Sequence, residues 1–246
     1  MPETAGPPMS RLEDRSLKAQ CVEAIERLII SGDLPVGSEL PPERELAKRL
    51  GVSRPVVHEA LVAVAAKGFV EVQPRRGTRV ADFYRHGTLA IFESLIMHSD
   101  GRFPDGVLHD LLAFRALIEI QAVRLAAERG GGEELAELSA ALEAEEALDR
   151  RSGGRPDVAT AAELDFRFHF LLAEASGDRI LPLVMNSAAP VYRRLIGRFY
   201  EAAPELAAVR RFHRDLVDAI GRRDIEAAVA VMRRMLDHGA AVVGGT

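Results

Sequence analysis

The chain has 246 residues, a formal charge of −5 at pH 7, 48% hydrophobic and 5% aromatic residues, one cysteine and no tryptophan. One cysteine excludes an internal disulfide, and sparse aromatics amid abundant Ala and Leu favour packed helices over a β-sandwich. No apolar run reaches the roughly 18 residues that span a bilayer, and MPETAGPP lacks the apolar core of a secretion signal, so a cytoplasmic protein without membrane association is expected.

Residues 1–9 read as a disordered tail. From Leu17 to Ile30, apolar residues at Cys21, Val22, Ile25, Leu28 and Ile29 follow a helical period, which Ser31 and Gly32 end. Cys21 lies on this stripe and reads as a buried thiol rather than a nucleophile. DLPVGSELPP is a loop rich in turn residues. A short helix is expected over Glu43 to Leu50, closed by Gly51, because the left-handed position after a helix favours glycine. Ser53 can cap the next helix, whose first turn tolerates Pro55. That helix runs to Lys67 and stops at Gly68. FVEVQ then alternates, PRRG turns and TRV returns, which describes a β-hairpin, or wing.

A linker over 83–104 contains a short helix, IFESLIMH. Helices are then expected over 107–129, 135–151, 158–175, 178–202 (bent near Pro182 and Pro190), 204–220 and 225–242. The fold class is therefore mostly α. Residues 10–82 form a winged helix-turn-helix DNA-binding domain, and 105–243 an all-helical bundle for effector binding and dimerisation. Residues 10–81 carry 12 Lys/Arg against 10 Asp/Glu, a net of +2, so the remainder carries −7. A mildly basic head on an acidic body suits a protein that presents one end to DNA.

The words LPPERELAKRLGVSRPVVHEAL and GFVEVQPRRGTRV, in that order and spacing, resemble the gluconate-repressor (GntR) family over residues 17–81. The resemblance implies that Arg44 contacts a phosphate or a base edge. It places Ser53, Arg54 and Val56 at the opening of a recognition helix. Arginine reads guanine O6 and N7, and hydroxyls anchor phosphates. At the wing tip, Arg75, Arg76 and Gly77 would reach the minor groove. Two positions depart from the family pattern. Pro42 stands where a capping Ser is usual, and His58 stands where a second recognition-helix Arg is usual. Imidazole is shorter and largely neutral at pH 7, so the operator differs at the base that Arg would read.

In the helical part, Asp165 and His169 are spaced i, i+4 among Phe166, Phe168 and Phe170, and His213 lies on a later helix. Converging inside a bundle, they would hold either a divalent metal such as zinc or a carboxylate ligand. FRALIEIQAVRLAAER, DFRFHFLLAEASGD and FHRDLVDAIGRRDIEAAV resemble the FCD type of ligand-binding domain of the fatty-acid-regulator branch, over residues 105–240. Many members hold a metal with one Asp and three His. Asp165, His169 and His213 match three of these positions. Met235 stands at the fourth, and a thioether is a poor ligand for such ions. His238 lies one turn further on. The resemblance also makes Arg115 an effector contact, its fork suited to a carboxylate; spacing alone equally pairs it with Glu119. Asn186 is a further pocket candidate.

The expected function is a ligand-responsive homodimeric regulator, a repressor of a metabolic operon, which binds operator DNA and a carboxylate or sugar-acid effector. The alternative is a metal-dependent hydrolase or lyase using Asp165, His169 and His213. No nucleophile motif, general-base pair or phosphate loop supports that alternative.

Overall fold

A computed structural model of the chain describes residues 16–73, 76–98, 106–153, 157–202 and 206–244. The tail expected over 1–9, and Arg75 at the wing tip, lie outside these residues. The chain divides between Ser94 and Leu95 into two units.

In the first unit, α1 (Leu17–Ile30) starts at Ser16, whose hydroxyl accepts a hydrogen bond from the Ala19 amide at 3.2 Å. Its stripe of Cys21, Ile25 and Ile29 is buried against α3 (Arg54–Lys67), which contributes Val57, Ala60, Leu61 and Val64 at helical spacing. Between them, α2 (Glu43–Leu50) ends on Gly51 at φ 67°. That positive φ is the turn of the helix-turn-helix, and glycine adopts it without a Cβ penalty. Ser53 occupies the N-cap of α3 with an extended backbone, but its hydroxyl accepts no capping bond; Pro42 stands at the N-cap of α2.

After α3, Gly68 takes φ 92°, and a Cβ there would sit 2.5 Å from the His86 carbonyl oxygen, so only glycine fits. β1 (Val70–Gln73) and β2 (Gly77–Val80) pair antiparallel, Val70 opposite Val80 and Gln73 opposite Gly77. The loop ahead of α2 bonds to this hairpin through Gly37 N to Val80 O at 2.9 Å and Leu40 N to Thr78 O at 2.8 Å. The wing is thereby fixed to the chain that leads into the helix-turn-helix. The stretch expected as a linker contains α4 (Phe83–His86) and α5 (Ile91–His98). Phe83 packs against Phe69 with centroids 5.3 Å apart. The Lys67 ammonium, 2.7 Å from a buried Glu26 oxygen, donates to Ser94 Oγ on α5 at 3.0 Å.

The second unit contains α6 (Val107–Arg129), α7 (Gly132–Ser152), α8 (Val158–Ala175), α9 (Leu181–Ser187), α10 (Ala189–Ala202), α11 (Leu206–Gly221) and α12 (Ile225–Gly244). The helix expected over 178–202 is two helices. Asp178 Oδ1 accepts from the Ile180 and Leu181 amides and starts α9. The chain breaks at Ala188 because the ring of Pro190 conflicts with a continuous helix through the carbonyl four residues earlier. α8 packs on α6, α7, α9 and α10, and α12 packs on α6, α10 and α11. Their core includes Val123, Leu138, Phe168, Leu172, Leu216 and Met232. Among the described residues, no helix is long and apolar enough to cross a membrane.

Candidate nucleic-acid interface and buried polar site

On the first unit, Arg44, Ser53, Arg54, His58, Arg76 and Gly77 are exposed and Val56 is half-buried. α3 thus buries one side and presents the start of its other side to solvent. Glu43, at the first position of α2, ties the two helices together there. Its carboxylate accepts from Arg54 Nε at 2.9 Å and lies 2.8 Å from His58 Nδ1. These two bonds, His58 first, hold the Glu43 carboxyl below its ordinary range. Glu43 was not singled out from the sequence. Its only signal is a carboxylate at the N-terminus of a helix, and the helix dipole alone accounts for that preference.

In the second unit, α8 places Asp165 and His169 one turn apart. Both are buried, as is His213 on α11. One donor atom from each of the three lies within 4.8 Å of the others. Each imidazole is held from behind by a buried carboxylate. Glu145, on α7, puts its two oxygens 2.8 and 3.0 Å from His213 Nδ1. Glu119, on α6, pairs with His169 Nδ1. An ionised carboxylate only accepts, so each Nδ1 carries the proton and each Nε2 is left toward Asp165. His169 Nε2 is 3.9 Å from Asp165 Oδ1, and His213 Nε2 is buried without a hydrogen-bond partner. Phe168 stacks on the His213 ring at 3.9 Å and keeps its plane fixed.

Asp165 also accepts from two phenols of α10, Tyr192 at 3.0 Å and Tyr200 at 3.1 Å. Burial holds both phenols well above their ordinary pKa, so they remain donors. Arg115 closes the network: Nη2 donates to Tyr192 Oη at 2.7 Å, and Nε pairs with Glu119. Burial alone would raise the Glu119 pKa, yet Arg115 and His169 bring it down to about 2. Burial likewise opposes a charge on His213, but the Glu145 carboxylate outweighs it and the pKa lies above the ordinary imidazole value. The cluster thus sets three carboxylates, Glu119, Glu145 and Asp165, against one guanidinium and two imidazoles.

Met235 is buried in the bundle core, while His238 is exposed and packs against Phe199 and Phe212. Asn186 is exposed on α9 rather than among the buried groups. Glu145, Tyr192 and Tyr200 were not singled out from the sequence.

A short helix-turn-helix with a wing, followed by a separate helical bundle with a charged interior, is the architecture of a DNA-binding regulator. Residues 17–80 match the model of bacterial regulatory proteins of the gntR family, and residues 110–238 match the FCD domain. The chain belongs to the GntR family and is a DNA-binding transcriptional regulator of the fatty-acid-regulator type. Mce2R, an HTH-type transcriptional regulator of Mycobacterium tuberculosis, is 32% identical over 91% of this chain and 90% of its own. A fatty acid metabolism regulator protein of Klebsiella pneumoniae is 33% identical over 74% of this chain and 72% of its own. The solved structure of Lar, which controls expression of the Listeria monocytogenes agr system, has a TM-score of 0.62 at 15% identity. It covers 95% of this chain and 99% of that one, a likeness of fold.

Proposed function

We propose that this regulator is a homodimeric repressor acting in the cytoplasm, released from its operator by a small carboxylate that binds beside a divalent cation in the second unit. The observation that carries the reading is the pair of buried imidazoles, each with Nδ1 held by a carboxylate. Such outer partners set the tautomer and orient the lone pair of a metal-ligating histidine. Asp165, His169 and His213 would hold the cation. Three nitrogen and oxygen ligands leave open positions, as zinc sites that take an exogenous ligand require. A bound cation would supply a Lewis-acidic anchor for an effector carboxylate. The unpartnered His213 Nε2 and the three carboxylates gathered around one guanidinium and two imidazoles fit that occupant, because buried charge persists only when paired.

The chain's own residues then divide the work. Glu119 and Glu145 orient the imidazoles. Tyr192 and Tyr200 hold Asp165 from the side of α10. Arg115 joins Glu119 to Tyr192, so a carboxylate that competes for its guanidinium would disturb α6 and α10 together. In the first unit, Arg44, Ser53, Arg54, Val56 and His58 read or anchor the major groove, with Arg75, Arg76 and Gly77 at the minor groove. The proposed domain limits are 10–82 and 105–243.

Calorimetric titration of chelator-treated protein with zinc, followed by carboxylates and sugar acids with and without zinc, tests the reading. Zinc binding at one site per chain, lost in His169→Ala and His213→Ala, is the expected result. Equal binding in both variants would remove the cluster from the sensing site.

A further inference from the structure

His58 is where this chain departs from the family pattern, and Glu43 determines what that departure means chemically. The Glu43 carboxylate lies 2.8 Å from His58 Nδ1, and the side chain of His58 is 64% exposed. A carboxylate held below its ordinary pKa is ionised and only accepts, so Nδ1 is the protonated nitrogen of the ring. In the neutral imidazole the other nitrogen, Nε2, then carries a lone pair and no hydrogen.

We propose that Glu43 turns His58 into a hydrogen-bond acceptor toward DNA, so that this position reads an exocyclic base amine rather than the guanine acceptors an arginine would read. The inference rests on α3 being the recognition helix. In the major groove, only adenine N6 and cytosine N4 offer donors, while guanine O6 and N7 and thymine O4 offer acceptors. A lone pair on Nε2 is attracted by the first pair and repelled by the others. The same carboxylate has a different effect on Arg54, where it engages Nε at 2.9 Å and leaves the terminal Nη edge for a base. One acidic residue thus sets opposite polarities on two neighbouring readers: Arg54 a donor, His58 an acceptor. Glu43 is a positioning residue in this scheme and touches no base.

The test uses the full-length protein at pH 8, above the ordinary imidazole range. A high-affinity operator is first selected from a randomised duplex library. Base analogues then replace single groups in each half-site. Purine in place of adenine, or 2-pyrimidinone in place of cytosine, removes one exocyclic amine; 7-deazaguanine removes one acceptor. At one symmetric position, deleting the amine should weaken native binding about tenfold, the scale of one well-made hydrogen bond. Deleting acceptors at that pair should change it less than twofold. In Glu43→Ala, where no carboxylate fixes the tautomer, the amine deletion should have a smaller effect. In His58→Arg the position should become sensitive to 7-deazaguanine instead. Thermal melting checks that both variants fold as the native chain does. Sensitivity of the native protein to acceptor deletion, or an undiminished amine effect in Glu43→Ala, would overturn the proposal alone. If Arg54→Ala leaves the selected operator unchanged, the recognition-helix reading falls and the proposal falls with it.

Discussion

Replacing Glu145 by Gln tests the buried cluster with a change of one charge and almost no volume. In the native chain the two Glu145 oxygens lie 2.8 and 3.0 Å from His213 Nδ1, with the imidazole fully buried. The amide keeps the hydrogen bond through its oxygen but loses the charge that makes His213 a strong ligand. Loss of an outer-shell partner of this kind lowers metal affinity by about 10–100-fold. With zinc at about 100 times the native Kd, the native protein gains about 2.7 kcal/mol, and the variant only about 0.4–1.4 kcal/mol. For a unit of this size, about 2–4 °C per kcal/mol applies, so a zinc-induced rise of about 5–11 °C shrinks to about 1–6 °C. Scanning calorimetry of both proteins, with chelator and with zinc, reads the difference. An undiminished zinc shift in the variant, or no shift in the native protein, would refute the reasoning.

Arg54→Ala should cost about 1–3 kcal/mol of specific operator binding, the scale of a bidentate arginine–guanine contact; footprinting with unchanged affinity and base preference would remove it from the readout. Gly68→Ala should destabilise the first unit by more than about 2 kcal/mol, since it combines a left-handed backbone with a clash on the His86 carbonyl. Urea unfolding that shows a loss below about 0.5 kcal/mol would contradict that. Lys67→Met should cost up to about 3–5 kcal/mol by taking the ammonium away from the buried Glu26 carboxylate, and adding Glu26→Leu should restore most of it. If the double variant is no more stable than the single one, the cost lies in packing rather than in the lost ion pair.

The local alphabet of this protein is legible in one dimension. The limits of α1, α2, α3, α6 and α8 follow from apolar period and punctuation, because those signals act over a few residues of chain. The wing is legible for the same reason: a β-hairpin needs only alternation and a turn. The i, i+4 spacing by itself puts Asp165 and His169 on one side of α8. Other features depend on which surfaces meet. Glu145 lies in LEAEEALDRR, where an acidic run reads as a solvated helix face; the packing of α7 on α8 and α11 buries Glu145 and leaves Glu143 exposed. Tyr192 and Tyr200 look like ordinary core aromatics until α10 docks on α8 and turns both hydroxyls onto Asp165. Glu43 looks like a first-turn acid until α2 meets α3. Sequence determined the elements and the candidate ligands, because helix propensity and periodicity are local. Only the tertiary structure decided which carboxylate stands behind which imidazole, because burial, desolvation and hydrogen-bond pairing belong to residues as far apart in the chain as Glu145 and His213.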